Sequence, residues 1–178
     1  MAESSGVEIE GVLLFGLTAH EDSRGLVSEI FRSEWVPRVE MVQANLSVSR
    51  AGVLRGLHFH RLQADYWCVL TGTAFVGLFD LRVGSPTFGA KGELTLSTEL
   101  GRSSLFIPPG VAHGFYAETD LMLAYFVDRT FDGTDEFGVA WDDPELGISW
   151  PNREPILSDR DRANPPLAAI DSPSAFEP

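Results

Sequence analysis

Two histidines, His58 and His60, stand one residue apart in the stretch Gly52–Gly72, GVLRGLHFHRLQADYWCVLTG. On a β-strand that spacing points both imidazoles to one face. Asp65 follows in an apolar run, DYWCVL, that reads as the next strand, so the stretch is expected to form a hairpin. A third histidine, His113, comes later, in IPPGVAHGF. Three imidazoles and a carboxylate make a set suited to a divalent metal, with mixed nitrogen and oxygen ligands fitting iron, nickel, manganese or zinc. The same residues could equally form a proton-transfer site, because a histidine titrates near neutral pH. A ring nitrogen whose lone pair is held by a metal cannot also accept a substrate proton. His58 therefore serves one role or the other.

The elements that must hold these side chains are short strands. Val7–Leu17 carries β-branched and aromatic residues broken by a glycine, enough for one or two strands. His20–Gly25 is a turn cluster, Leu26–Phe31 a strand, and Ser33–Pro37 a short helix limited by Pro37. Val39–Ser49, Gly72–Arg82, Glu93–Ser97, Ser104–Ile107, His113–Ala117 and Met122–Asp128 complete the strand pattern, with turn residues between them. Beyond Thr130 the pattern dissolves into loops, with a helical turn near Asp159–Arg162. Such spacing predicts an all-β fold, an antiparallel sandwich or jelly roll. The expected division is a disordered 1–6, one domain over 7–164 and a C-terminal tail over 165–178.

A length of 178 residues with 44% hydrophobic content suits one domain with an ample core. A net charge of −13 argues against a nucleic-acid or anionic-membrane surface, both of which need a basic patch. The single cysteine, Cys68, excludes an internal disulfide and reads as a small core residue. The acidic MAESSGVEIE start is unlike a signal peptide, and no apolar run reaches the length of a membrane span, so a cytoplasmic protein is expected.

Five motifs in order, VLRGLHF, FDLRVGSPTFG, IPPGVAHGF, WDDPELGISWP and LSDRD, resemble the dTDP-4-dehydrorhamnose 3,5-epimerase family, a branch of the cupin jelly rolls. The resemblance runs from Gly16 to Asn164. It implies a homodimer that binds a dTDP-linked 4-keto-6-deoxy sugar and needs no cofactor. It implies His58 as general base, Asp161 as its acidic partner and Tyr125 as proton donor. Arg55 and His113 would line the sugar site, while Arg24, Glu29, Gln43 and Asn45 would hold the nucleotide and diphosphate, under an aromatic roof at Phe131.

Four positions depart from that family. Asp65 stands where the family has the lysine that steadies the enolate oxygen, His60 replaces a glutamine or similar residue, Phe131 a tyrosine, and Val76 an aspartate. Lys91, the sole lysine, lies in another loop. Removing one oxyanion stabiliser costs about 10²–10³ in rate, and inverting its charge costs more. The two changes at His60 and Asp65 also bring the stretch to G-x5-H-x-H-x4-D-x6-G, similar to the first motif of metal-binding cupins, and Pro108–His113 resembles the second. Two alternatives to the epimerase therefore stand: a metal-dependent cupin enzyme using His58, His60, Asp65 and His113, or a sugar-nucleotide binding protein without turnover.

Overall fold

The computed structural model describes residues 7–36 and 38–172, so the terminal segment expected to be disordered, 1–6, lies outside it. The strands are β1 (Leu13–Gly16), β2 (Ala19–Asp22), β3 (Gly25–Ser28), β4 (Gln43–Ser49), β5 (Leu54–Phe59), β6 (Asp65–Thr71), β7 (Thr73–Asp80), β8 (Lys91–Ser97), β9 (Ser103–Ile107), β10 (Val111–Ala117), β11 (Leu121–Val127) and β12 (Phe137–Gly138). Helical structure is confined to short turns at Ser33–Trp35, Gly133–Asp135 and Leu167–Ala169 and one helix, α1 (Asp159–Arg162). Among the described residues no helix is long and apolar enough to cross a membrane.

Two five-stranded antiparallel sheets, β1-β9-β6-β11-β4 and β12-β5-β10-β7-β8, make the sandwich, and β2 and β3 form a separate hairpin. The period-2 pattern of the strands builds this arrangement. Trp67, Val69, Leu105, Ile107, Leu121 and Leu123 from one sheet meet Val76, Leu78, Val111 and Phe115 from the other. Both outer faces are covered as well. Phe15, Val36, Tyr66 and Phe106 pack with Phe31 and Trp35 on the first sheet. Leu57, Phe59 and Phe79 are covered by Leu146, Ile148, Trp150, Leu167 and Ile170 on the second. Ordered packing thus continues past Asn164 into the segment read as a tail.

The FDLR motif has a structural task. Asp80 is fully buried and accepts from Arg82 Nε (2.8 Å) and Nη2 (2.8 Å), Ser85 Oγ (2.7 Å) and Thr87 Oγ1 (2.7 Å). Burial pushes its carboxyl up, but those donors outweigh it and leave the group below its ordinary value. The pair ties the VGSPTFG loop to the sheet.

Three local expectations are corrected. The N-terminal strand shrinks to Leu13–Gly16, because Val7 and Ile9 pack as side chains against the core rather than adding to a sheet. Of the turn cluster His20–Gly25, only residues 23 and 24 form the turn, and the other four belong to the strands of the β2–β3 hairpin. Most important, β5 and β6 are not a hairpin: β5 pairs with β10 and β12, and β6 with β9 and β11. The short connection 60–64 crosses from one sheet to the other. His58 and Asp65 therefore face each other across the sandwich instead of lying side by side.

Candidate active site

Where the interior is polar instead of apolar, the sheets enclose an open cavity of about 420 Å³. From β4 come Gln43, Asn45 and Ser47; from β6, Asp65 and Trp67; from β11, Leu123, Tyr125 and Val127. Each set alternates along its strand, as a pleated sheet requires. On the opposite wall, β5 supplies Arg55 and His58, and β10 supplies His113 and Phe115.

Arg55 and His58 are three apart and should point to opposite faces of a regular strand. A bulge removes the conflict: His113 pairs with His58 and Phe115 with Arg55, so Gly56 and Leu57 oppose Gly114 alone. Leu57 is turned to the outer core. Gly56 has φ +124°, and a Cβ there would stand 2.7 Å from Gly114 Cα, so only glycine fits.

His58 Nε2 lies 2.5 Å from Asp161 Oδ1, on α1. Ser158 caps this helix, its Oγ accepting from Asp161 N at 3.0 Å, and so fixes the carboxylate. Burial raises the Asp161 pKa, but the His58 hydrogen bond and charge, with Ser158 and Arg160, together hold it below its ordinary value. The carboxylate stays ionised and can only accept, so Nε2 carries the proton and Nδ1 is left as the acceptor. Tyr125 stands on the facing sheet, and burial, reinforced by the charges of Asp65 and Glu136, raises its pKa. Its phenol stays protonated across the neutral range. The cavity thus has a proton acceptor on one sheet and a proton donor on the other.

A second group occupies the same cavity. His60, Asp65 and His113 are buried, and one ligand atom from each lies within 4.8 Å of the others. His58, expected with them, is not in this group; its Nε2 bonds to Asp161. His60 Nδ1 donates to the Asp135 carbonyl at 2.6 Å and His113 Nδ1 to the Val111 carbonyl at 2.9 Å. Asp65 accepts from Gln63 Nε2 (2.8 Å) and Trp67 Nε1 (3.1 Å), with His113 Nε2 3.7 Å away. Burial, partly opposed by Asp65, pushes His113 down to about 4.

Gln43 and Asn45 hydrogen-bond to each other, and Gln43 Oε1 accepts from Phe131 N at 3.0 Å, placing the largely exposed Phe131 ring at the rim. Arg24 and Glu29 do not reach this cavity in one chain. Arg24 bonds Asp22 on the exposed hairpin, and Glu29 pairs with Arg32. Sequence reasoning missed Gln63, Glu136, Arg160 and above all Asp135. The Asp135 carboxylate accepts from the backbone N–H of Arg61 (2.8 Å), Leu62 (3.1 Å) and Gln63 (3.2 Å), holding the crossing that positions His60 and Asp65. An aspartate in FDGTDEFG carried no signal for a contact so distant in sequence.

The family described as dTDP-4-dehydrorhamnose 3,5-epimerase matches residues 6–169. A dTDP-4-dehydrorhamnose 3,5-epimerase of Sinorhizobium fredii is 37% identical over 166 residues, covering 88% of this chain and 84% of its own. A dTDP-4-dehydrorhamnose 3-epimerase of Streptomyces niveus is 39% identical over 163 residues, covering 86% and 78%. Among solved structures, the Legionella pneumophila 3,5-epimerase in complex with dTDP-4-keto-L-rhamnose superposes with a TM-score of 0.89, with 33% identity and 97% of each chain covered. With a cupin-type sandwich and matches over nearly its whole length, this chain belongs to the dTDP-4-dehydrorhamnose 3,5-epimerase family.

Proposed function

We propose that this protein epimerises a dTDP-linked 4-keto-6-deoxy sugar, with residues 7–164 as the catalytic unit. The observation that carries the reading is His58, hydrogen-bonded to Asp161 at 2.5 Å, facing Tyr125 from the opposite sheet. The C4 ketone acidifies the protons on C3 and C5. His58 Nδ1 takes one of them, and the C–H electron pair moves into the ring as the C4 oxygen becomes an enolate oxygen. Asp161 stabilises the imidazolium that forms. The enolate pair then reclaims a proton from the Tyr125 phenol on the other face. The ketone re-forms with inverted configuration, and His58 and Tyr125 return to their starting states through solvent. No electron leaves the sugar, so the reaction itself needs no redox cofactor.

The base of the nucleotide stacks on Phe131, with Gln43 and Asn45 beside it, and Arg55 and His113 line the sugar. Arg24 and Glu29 act from a second copy of the chain. Support for a homodimer comes from the exposed Leu26 and Val27 on the β2–β3 hairpin and from Val42, Leu46 and Val48 along the outward side of the β4 edge. Open strand edges with such a surface need covering.

The test is solvent exchange. With dTDP-4-keto-6-deoxyglucose in deuterated water, NMR is expected to show deuterium entering C3, C5 or both. A second reading, binding without turnover, is favoured by Asp65 standing in place of a lysine. It is separated by the same measurement: calorimetric binding of the sugar nucleotide with no exchange at either carbon would replace the first reading.

A further inference from the structure

We propose that His60, Asp65 and His113 form a divalent-cation site in the cavity wall, separate from the His58–Asp161 pair. The argument begins with tautomers. A carbonyl oxygen only accepts, so the Nδ1 atoms bonded to the Asp135 and Val111 carbonyls must carry the protons. Each neutral ring then keeps its lone pair on Nε2. This is how a metal-binding imidazole is held, with one nitrogen anchored to a backbone carbonyl and the other free.

His113 Nε2 is 3.7 Å from Asp65 Oδ2, too long for a hydrogen bond. A lone pair and a carboxylate oxygen, both acceptors, therefore face each other in a buried setting. The Asp65 charge receives only neutral donors, Gln63 Nε2 and Trp67 Nε1. Among the described residues, no arginine or lysine lies within ion-pairing distance of it. A buried, uncompensated carboxylate is costly, and a cation between these acceptors removes the cost.

The dimensions fit. Nitrogen and oxygen ligands about 2.0–2.2 Å from a metal stand roughly 3–4 Å from one another, so atoms within 4.8 Å need closing movements below about an ångström. Two neutral imidazoles and one carboxylate around a 2+ ion leave a net charge of +1, with open positions for substrate oxygens. The catalytic consequence rests on the epimerase reading: that positive charge faces the C4 enolate oxygen, restoring what Asp65 alone inverts.

The test uses untagged, chelator-stripped protein titrated calorimetrically with Zn²⁺, Mn²⁺, Ni²⁺ and, anaerobically, Fe²⁺. Co²⁺ is added as a spectroscopic probe. One equivalent per chain is expected for at least one of the physiological ions, with a Co²⁺ visible spectrum of mixed nitrogen and oxygen ligation. His60→Ala is expected to weaken binding by more than about 100-fold, since losing a ligand exceeds the loss of a supporting contact. His60→Gln, which returns the residue type expected from the family, should do the same and guards against a variant that fails to fold. His58→Asn should leave the affinity unchanged. Failure of every ion to bind at one equivalent, or equal binding by folded His60→Gln, overturns the site. Metal binding without solvent exchange would defeat the epimerase reading and leave this site standing; exchange without metal binding would do the reverse.

Discussion

One cavity holds two clusters of histidine and carboxylate, built to opposite plans. In the first, the Asp161 carboxylate bonds directly to the His58 ring at 2.5 Å, which fixes the proton on Nε2 and leaves Nδ1 as the acceptor. In the second, Asp65 stands 3.7 Å from His113, and both His60 and His113 give their N–H to backbone carbonyls. The first arrangement stabilises a ring that has taken up a proton. The second ties both Nδ1 atoms to carbonyls, leaves the lone pairs on Nε2 and keeps His113 neutral, its pKa pushed down to about 4 by burial. What a histidine does therefore depends on where its other nitrogen is tied, and adjacency in sequence, as for His58 and His60, says nothing of it.

The contrast is broken hardest at Asp161. Asp161→Asn should slow solvent exchange by roughly 10³-fold, because the amide can present its N–H to the ring and select the wrong tautomer. The same variant should bind metal as the wild type does. Its acid stability should change as well. The native Asp161 pKa lies below its unfolded value, so below the ordinary carboxylate range the unfolded chain binds more protons. Stability contributed by the pair is present above the unfolded value and lost as pH falls through the folded one. A pH series of urea melts should show that loss in the wild type and a shallower one in Asp161→Asn.

Tyr125→Phe comes next, with exchange-coupled inversion reduced about 10²-fold through loss of the proton donor. Burial raises the Tyr125 pKa, so the wild-type alkaline limb should lie above the ordinary phenol value near 10. That limb should vanish from the variant's rate profile, a change that mere loss of packing would not produce. Smallest in rate and most informative is Asp65→Lys. It removes a metal ligand and places a cation at the same spot, so activity should persist within about tenfold of the wild type and lose its sensitivity to chelator.

Much of the fold was legible because alternation is a local property. Gln43, Asn45 and Ser47 on β4, or Leu123, Tyr125 and Val127 on β11, follow the period-2 rule without exception. The errors arose where the rule needs long-range information. A short link between two strands looks like a hairpin, yet the link 60–64 crosses between sheets because Asp135, far along the chain, holds its backbone. Arg55 and His58 share a face only because of the bulge opposite Gly114. The His58, Tyr125 and Asp161 roles came from the motif resemblance; the structure places His58 and Tyr125 on facing sheets of one cavity and bonds Asp161 to His58. Which histidines share a centre was not legible, since the tautomers are set by backbone carbonyls, and one of them, that of Asp135, lies outside every motif.

The division of labour between the two clusters is tested most directly by following solvent deuterium into dTDP-4-keto-6-deoxyglucose with wild-type and His58→Asn protein, both metal-loaded. The account predicts exchange at C3, C5 or both with the wild type, and a loss of about 10³–10⁴-fold in the variant despite a full equivalent of bound metal. Exchange by metal-loaded His58→Asn at the wild-type rate would contradict it, because the proton would then be taken by some group other than His58.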